Sequence, residues 1–157
     1  MSKASETADD ALLAQRVSRL QDVDAINQVL IGQCRSLDEH DLEFFLGQFD
    51  ATFTYSYDGH AVSKREVLES ATREGWRATP KTTHLLGNLV VDFVDGGEAI
   101  ATSDCLVLTF SQSGEMKLVT EANRDRLVKR GGAWRFAGRV IESGGPFALG
   151  SAPQKKA

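Results

Sequence analysis

In 157 residues there are only three histidines, three prolines and two cysteines. Each scarcity excludes something. Cys34 and Cys105 form neither a CxxC pair nor a zinc spacing, so they read as buried free thiols in a reducing cytosol. No metal site is expected, because His40, Glu39 and Asp38 are successive and their side chains diverge on a helix. Positive charge is not in excess: 18 Lys and Arg face 22 Asp and Glu, a net charge of -4. The nearest thing to a basic patch, RDRLVKR at 124–130, spreads its charges along an expected strand, so nucleic acid is not an expected partner. No run approaches the roughly 18 apolar residues that cross a bilayer, so no membrane partner is expected. The opening MSKASETADD is polar and acidic, without the apolar core of a secretory signal, and a cytoplasmic location is expected. GGAWRFAG is a turn followed by a strand, not a strand feeding a helix, so it is not a dinucleotide loop. There is no internal repeat and no low-complexity block.

What is present is patterning. The hydrophobic fraction of 41% suits one soluble domain. Residues 1–8 read as a loose tail, 9–143 as a single domain and 144–157 as an irregular tail. Over 9–35, Leu13, Val17, Leu20, Val23, Ile26, Leu30 and Cys34 recur at threes and fours, one apolar stripe on a long helix. Asp9 and Asp10 suit its start. A short helix is expected at 40–49, and a third over 63–76, where Ser63 and Glu66 have capping-box spacing. ATFTYSY at 51–57 alternates Phe53, Tyr55 and Tyr57 with hydroxyl residues, a strand with one aromatic face. Long strands follow at 82–94, 98–111, 115–129 and 133–143, joined by DGG, SG and RGG turns. Helices first and antiparallel strands last indicate an α+β fold. A curved sheet wrapped around a long helix makes a cone with a pocket inside.

These elements, with LDEHDLEFFLGQFD at 37–50, THLLGN at 83–88 and DRLVKRGGAWRFAGR at 125–139, resemble the NTF2-like (cystatin-like) superfamily in its SnoaL-like branch. The resemblance spans about residues 15–143 and implies a curved mixed or antiparallel sheet around the first helix. Asp38 paired with His84 is similar to the catalytic pair of scytalone dehydratase, bile-acid 7α-dehydratase and lindane dehydrochlorinase, and Arg139 matches an arginine on the last strand in two of them. Where the dehydrochlorinase carries a lysine and the bile-acid enzyme a tyrosine five residues before the aspartate, this chain has Gln33. Where scytalone dehydratase has a tyrosine just before the aspartate, this chain has Leu37. LVLTF at 106–110 holds no second histidine.

Two readings of each residue stand side by side. His84 is either a core histidine bonded to a carbonyl or an acid–base group, since an ordinary imidazole both takes and gives a proton near neutrality. Asp38 either caps the second helix or orients His84. Arg139 is either a rim ion pair or the cation that holds a leaving oxygen or an oxyanion. Tyr55 and Tyr57 either pack or bind substrate oxygen. Gln33, Cys105, Val107, Val119 and Asn123 are expected to shape the cavity, Asn123 as its polar contact. His40 and His60 are expected to face solvent.

The resemblance implies a cofactor-independent lyase acting on a hydrophobic cyclic or aromatic small molecule by dehydration or a related proton abstraction. Isomerisation, cyclisation and release of a small aldehyde are variations of the same site. The rival readings are a scaffold subunit of an aromatic-ring dioxygenase, its cone plugged by side chains, and a carrier of apolar small molecules. A homo-oligomer, trimer or dimer, is expected, because an open curved sheet leaves an outer face to cover.

Overall fold

A computed structural model describes residues 3–94 and 97–151. Helix α1 runs Lys3–Glu39 and α2 Leu42–Gly47; strand β1 is Phe49–Tyr57, β2 His60–Val62, helix α3 Arg65–Ala78, and strands β3 Lys81–Val94, β4 Glu98–Phe110, β5 Glu115–Arg130 and β6 Ala133–Ser151. The strands form one sheet in the order β2-β1-β6-β5-β4-β3. β1 lies parallel to β6, and every other pair is antiparallel. The fold is therefore α+β, a curved mixed sheet over a long first helix.

Period-two alternation decides which side chains enter the core. On β4, Ala99, Ala101, Ser103, Cys105 and Val107 are buried. Their partners on β5, in order, are Leu127, Asp125, Asn123, Glu121 and Val119. Ile26 and Leu30 of α1 pack against this face with Phe45, Leu127 and Phe136, all of them almost fully buried. Burying such a side chain stabilises by about 1.5–3 kcal/mol. α1 is pinned by Asp22, whose Oδ1 accepts from Lys129 Nζ at 2.6 Å and from Trp134 Nε1 at 2.9 Å.

Several expectations need correction. α1 begins at Lys3, inside the stretch expected to be a tail, so Asp9 and Asp10 lie within the helix and cap nothing. The stripe buries only its later half: Ile26, Leu30 and Cys34 are covered, while Leu13, Val17 and Leu20 are exposed, because the helix overshoots the sheet. The N-cap of α3 is Lys64, one residue later than the capping box requires, and no side chain caps it. The short strand β2 was not expected; Asp58 and Gly59, both at positive φ, make the two-residue turn that pairs it with β1. β6 continues to Ser151 because β5 is long enough to pair with it: Leu118 faces Phe147 and Met116 faces Gly150. The expected tail is thus strand through Ser151, and 152–157 lie outside the described residues. Gly114 and Gly132 hold positive φ at two of the expected turns. The first two residues of the DGG turn lie outside the described residues.

Candidate active site

Between α1, α3 and the concave face of the sheet lies a cavity of about 420 Å³. Its walls are mostly apolar, with Leu37, Phe45, Leu68, Trp76 and Ile141 among them. His84, Glu121 and Arg139 supply ionisable groups, and Tyr55 and Tyr57 supply phenols.

The arrangement around His84 follows from strand alternation. Thr82, His84 and Leu86 point to the same face of β3, and the end of α1 crosses over that face. Asp38, one residue before the helix ends, then meets β3 with three bonds. Its Oδ2 accepts from the backbone N–H of His84 at 2.9 Å. Its Oδ1 lies 2.5 Å from His84 Nδ1 and accepts from Thr82 Oγ1 at 2.8 Å. Burial works against this carboxylate, but the bonds from His84 and Thr82 outweigh it and hold its pKa below the usual value. A carboxylate against Nδ1 fixes the proton on that nitrogen and leaves Nε2 as the free ring position. Asp38 does not cap α2; Asp41 does, its Oδ1 accepting from Phe44 N at 3.0 Å.

Arg139 is not at a rim. It is buried on β6, beside Tyr55 of β1 and Asp125 of β5. Its Nη1 lies 3.5 Å from Asp125 Oδ2 and donates to Gln33 Oε1 of α1. Burial pushes the Asp125 carboxyl up to about 6, against the pull of Arg139. Burial opposes the Arg139 charge, yet Asp125 and the other groups around it outweigh that and raise its pKa. Burial pushes the Tyr55 phenol up to about 12 and raises that of Tyr57 as well. Both phenols are therefore protonated donors at neutral pH. Cys34 of α1 and Cys105 of β4 meet at the cavity wall as free thiols. The hydrogen bond between them pushes the Cys105 thiol up and lowers that of Cys34.

Of the residues expected from sequence, His84, Arg139, Tyr55, Tyr57, Gln33 and Cys105 line the cavity, and Asp38 stands directly behind His84. Val107, Val119 and Asn123 do not. Val107 is buried against the two cysteines, and Val119 packs on that cluster. Asn123 is buried, and its cross-strand neighbour Ile141 reaches the cavity instead. His40 and His60 are exposed as expected, and His40 stacks on Trp76 with ring centroids 4.6 Å apart.

Glu121, Asp125, Thr82 and Trp76 escaped the sequence reading. The first two were accessible to it. They alternate with Val119 and Asn123 on the same strand face. Trp76 carried no such signal, because its place depends on how α3 seats over the cone. Among the described residues no three His, Cys, Asp or Glu side chains converge on a possible metal position. Among them too, no helix is long and apolar enough to cross a membrane.

A cone of this kind, with a long helix closing a curved sheet, defines a class. The SnoaL-like domain pattern matches residues 18–140, and the chain belongs to that family. Solved structures agree on the fold. A scytalone dehydratase-like protein of Novosphingobium aromaticivorans DSM 12444 superposes with a TM-score of 0.78 at 20% identity, over 90% of this chain and 99% of that one. A type 2 hexachlorocyclohexane dehydrochlorinase (LinA) gives 0.81 at 18% identity, over 90% and 99%. A LinA type 3 from Novosphingobium barchaimii LL02 gives 0.78 at 18%, over 88% and 99%. No curated protein matches the sequence.

Proposed function

We propose that the chain is a cofactor-independent lyase that eliminates a small group from a hydrophobic cyclic or aromatic molecule. One observation carries the reading: His84 is held by Asp38 at 2.5 Å on the wall of an apolar cavity. A buried imidazole needed only for packing requires one partner. Here three hydrogen bonds fix the carboxylate, which orients the ring through Nδ1 and leaves Nε2 free of it.

His84 Nε2 takes the proton from carbon. Asp38 stabilises the imidazolium that results, without itself taking the proton. Arg139, anchored from behind by Asp125 and Gln33, and the Tyr55 phenol stabilise negative charge that develops on a substrate oxygen. These groups supply proton abstraction and charge stabilisation from side chains alone. The names of the structural neighbours, a dehydratase-like protein and dehydrochlorinases, fit eliminations of this type. An accessible cavity also favours a small-molecule site over a scaffold subunit with a plugged cone.

The test is turnover of two probe series, cyclic β-hydroxyketones and chlorinated cyclohexanes, followed by loss of water or chloride. Wild type is expected to act on at least one series. His84→Ala is expected to lower the rate by about 10²–10⁴, the usual contribution of a positioned base. Absence of turnover in both series, or an unchanged rate in His84→Ala, would falsify the reading.

A further inference from the structure

The cavity holds a second proton-transfer group that the dyad does not use. Glu121 is on β5, where its strand neighbours are Cys105 on β4 and Ser143 on β6. His84 is on β3, beside Val107 of β4. The two residues are two strands apart and offset by two residues along the strands, since His84 is level with Val119 and Glu121 with Leu86; their backbones are about 12 Å apart. Both side chains lean into the same concave space. Among the described residues Glu121 makes no ion pair, since the nearby Arg139 is engaged by Asp125. Tyr57 lines the same cavity as Glu121.

We infer that Glu121 is the general acid of this site, donating its proton to an oxygen leaving group, so that the reaction is loss of water rather than loss of halide. The inference rests on the lyase reading above and sharpens it. Hydroxide is a poor leaving group whose departure is strongly assisted by protonation, whereas chloride departs without a proton. A site built only for halide loss has no use for a proton donor in the same cavity as its base.

The step balances. His84 Nε2 takes the proton from one carbon, and the C–H electron pair becomes the new carbon–carbon π bond. The C–O bond on the adjacent carbon breaks with its pair going to oxygen, which takes the Glu121 proton and leaves as water. The imidazolium proton then returns through solvent to the Glu121 carboxylate.

The surroundings of Glu121 favour its neutral form. Burial raises its carboxyl pKa, and the attraction of His84 and Arg139 and the effect of Tyr57 only partly offset this. Asp58, at the end of β1, also acts to raise it. Glu121 faces thiols as well, Cys105 on β4 and Cys34 on α1, and the phenol of Tyr55 on β1. The Cys105 thiol, raised by its bond to Cys34 and by burial, and the Tyr55 phenol, raised by burial, hold their own protons.

The experiment compares leaving groups on one ring system, hydroxyl against chloride at the same carbon, in wild type and Glu121→Gln. Loss of water is expected to fall about 100-fold in the variant, the scale of one general acid, with loss of chloride changed less than about threefold. Equal falls on both probes, or no fall on the hydroxyl probe, overturn the role of Glu121 and leave the lyase reading standing. A wild type inactive on both probes overturns the lyase reading and Glu121's role with it. If Glu121→Gln does not fold, the wild-type pH profile decides. Water loss is expected to decline at high pH as Glu121 loses its proton, while chloride loss levels off. Profiles of identical shape overturn the inference.

Discussion

The Asp38 carboxyl shows how much one residue is asked to do. It receives the His84 backbone N–H, the His84 ring and the Thr82 hydroxyl, and so joins the first helix to the third strand. Its pKa is lower in the folded protein than the ordinary value, because those bonds outweigh the effect of burial. A carboxyl shifted in this sense stabilises the fold above its unfolded pKa, near 3.9, and the contribution is lost as pH falls through the lower folded value. Asp38→Asn is therefore expected to lower stability at pH 7 by about 1–2 kcal/mol, the scale of charge-assisted hydrogen bonds. The gap to wild type is expected to narrow below about pH 4, where the unfolded chain's carboxyl takes up its proton, and to close as pH falls through the lower folded value. Urea melts at pH 7, 4 and 3 check this, and a gap that stays constant to pH 3 contradicts it. At this scale the sequence was informative about chemistry and weak about neighbours. A histidine opening an apolar run at 84 was visible as an anomaly. That Arg139 is held by Gln33 and Asp125 was not, because that contact joins α1 to two strands through their curvature.

Among the elements, α2 is the shortest helix and the one whose start is most local. Asp41 caps it, and the helix places Phe45 in the cavity wall. Asp41→Ala is expected to cost about 1 kcal/mol, measured by denaturant unfolding. It is also expected to weaken binding of apolar probes by releasing Phe45; a variant with wild-type stability would show that tertiary contacts, not the cap, hold this turn. The strands were the most legible elements. Expected and observed limits for β3, β4 and β5 agree within a residue, because glycine turns and two-residue alternation mark both ends. The helix ends were less legible. Aspartates at 9 and 10 look like a cap, yet the chain was already helical at Lys3. Ser63 and Glu66 have the right spacing for a capping box and the wrong register for it. The β6 extension was hidden because GGPFALG is rich in turn formers. The long partner strand decides its conformation, and intrinsic preference does not.

Over the whole molecule, α1 is the element least absorbed by the cone. A helix of 37 residues is about 55 Å long, and every described side chain before Asp22 is exposed. The Asp22 anchor and the buried residues after it carry its packing. A chain beginning with Met followed by Ser18 is thus expected to unfold within about 0.5 kcal/mol of the full protein, and to keep its turnover, as judged by urea midpoints and rates on the probe series. A larger loss would mean that the overhanging turns are covered in solution. The sheet order has a consequence of a different kind, in the time of synthesis. β1 is made early, but it pairs in parallel with β6, the last strand. Tyr55 and Tyr57 therefore wait for Arg139 and Ile141, their partners, to leave the ribosome. Until then one wall of the cone has nothing to lean on, and its aromatic face is open to the cell. The nascent chain passes through a long interval in which α1, α2 and β1 exist without their partner strand. Such non-local closure is slow and exposes apolar surface meanwhile. The cavity that makes the protein useful is the last thing it acquires.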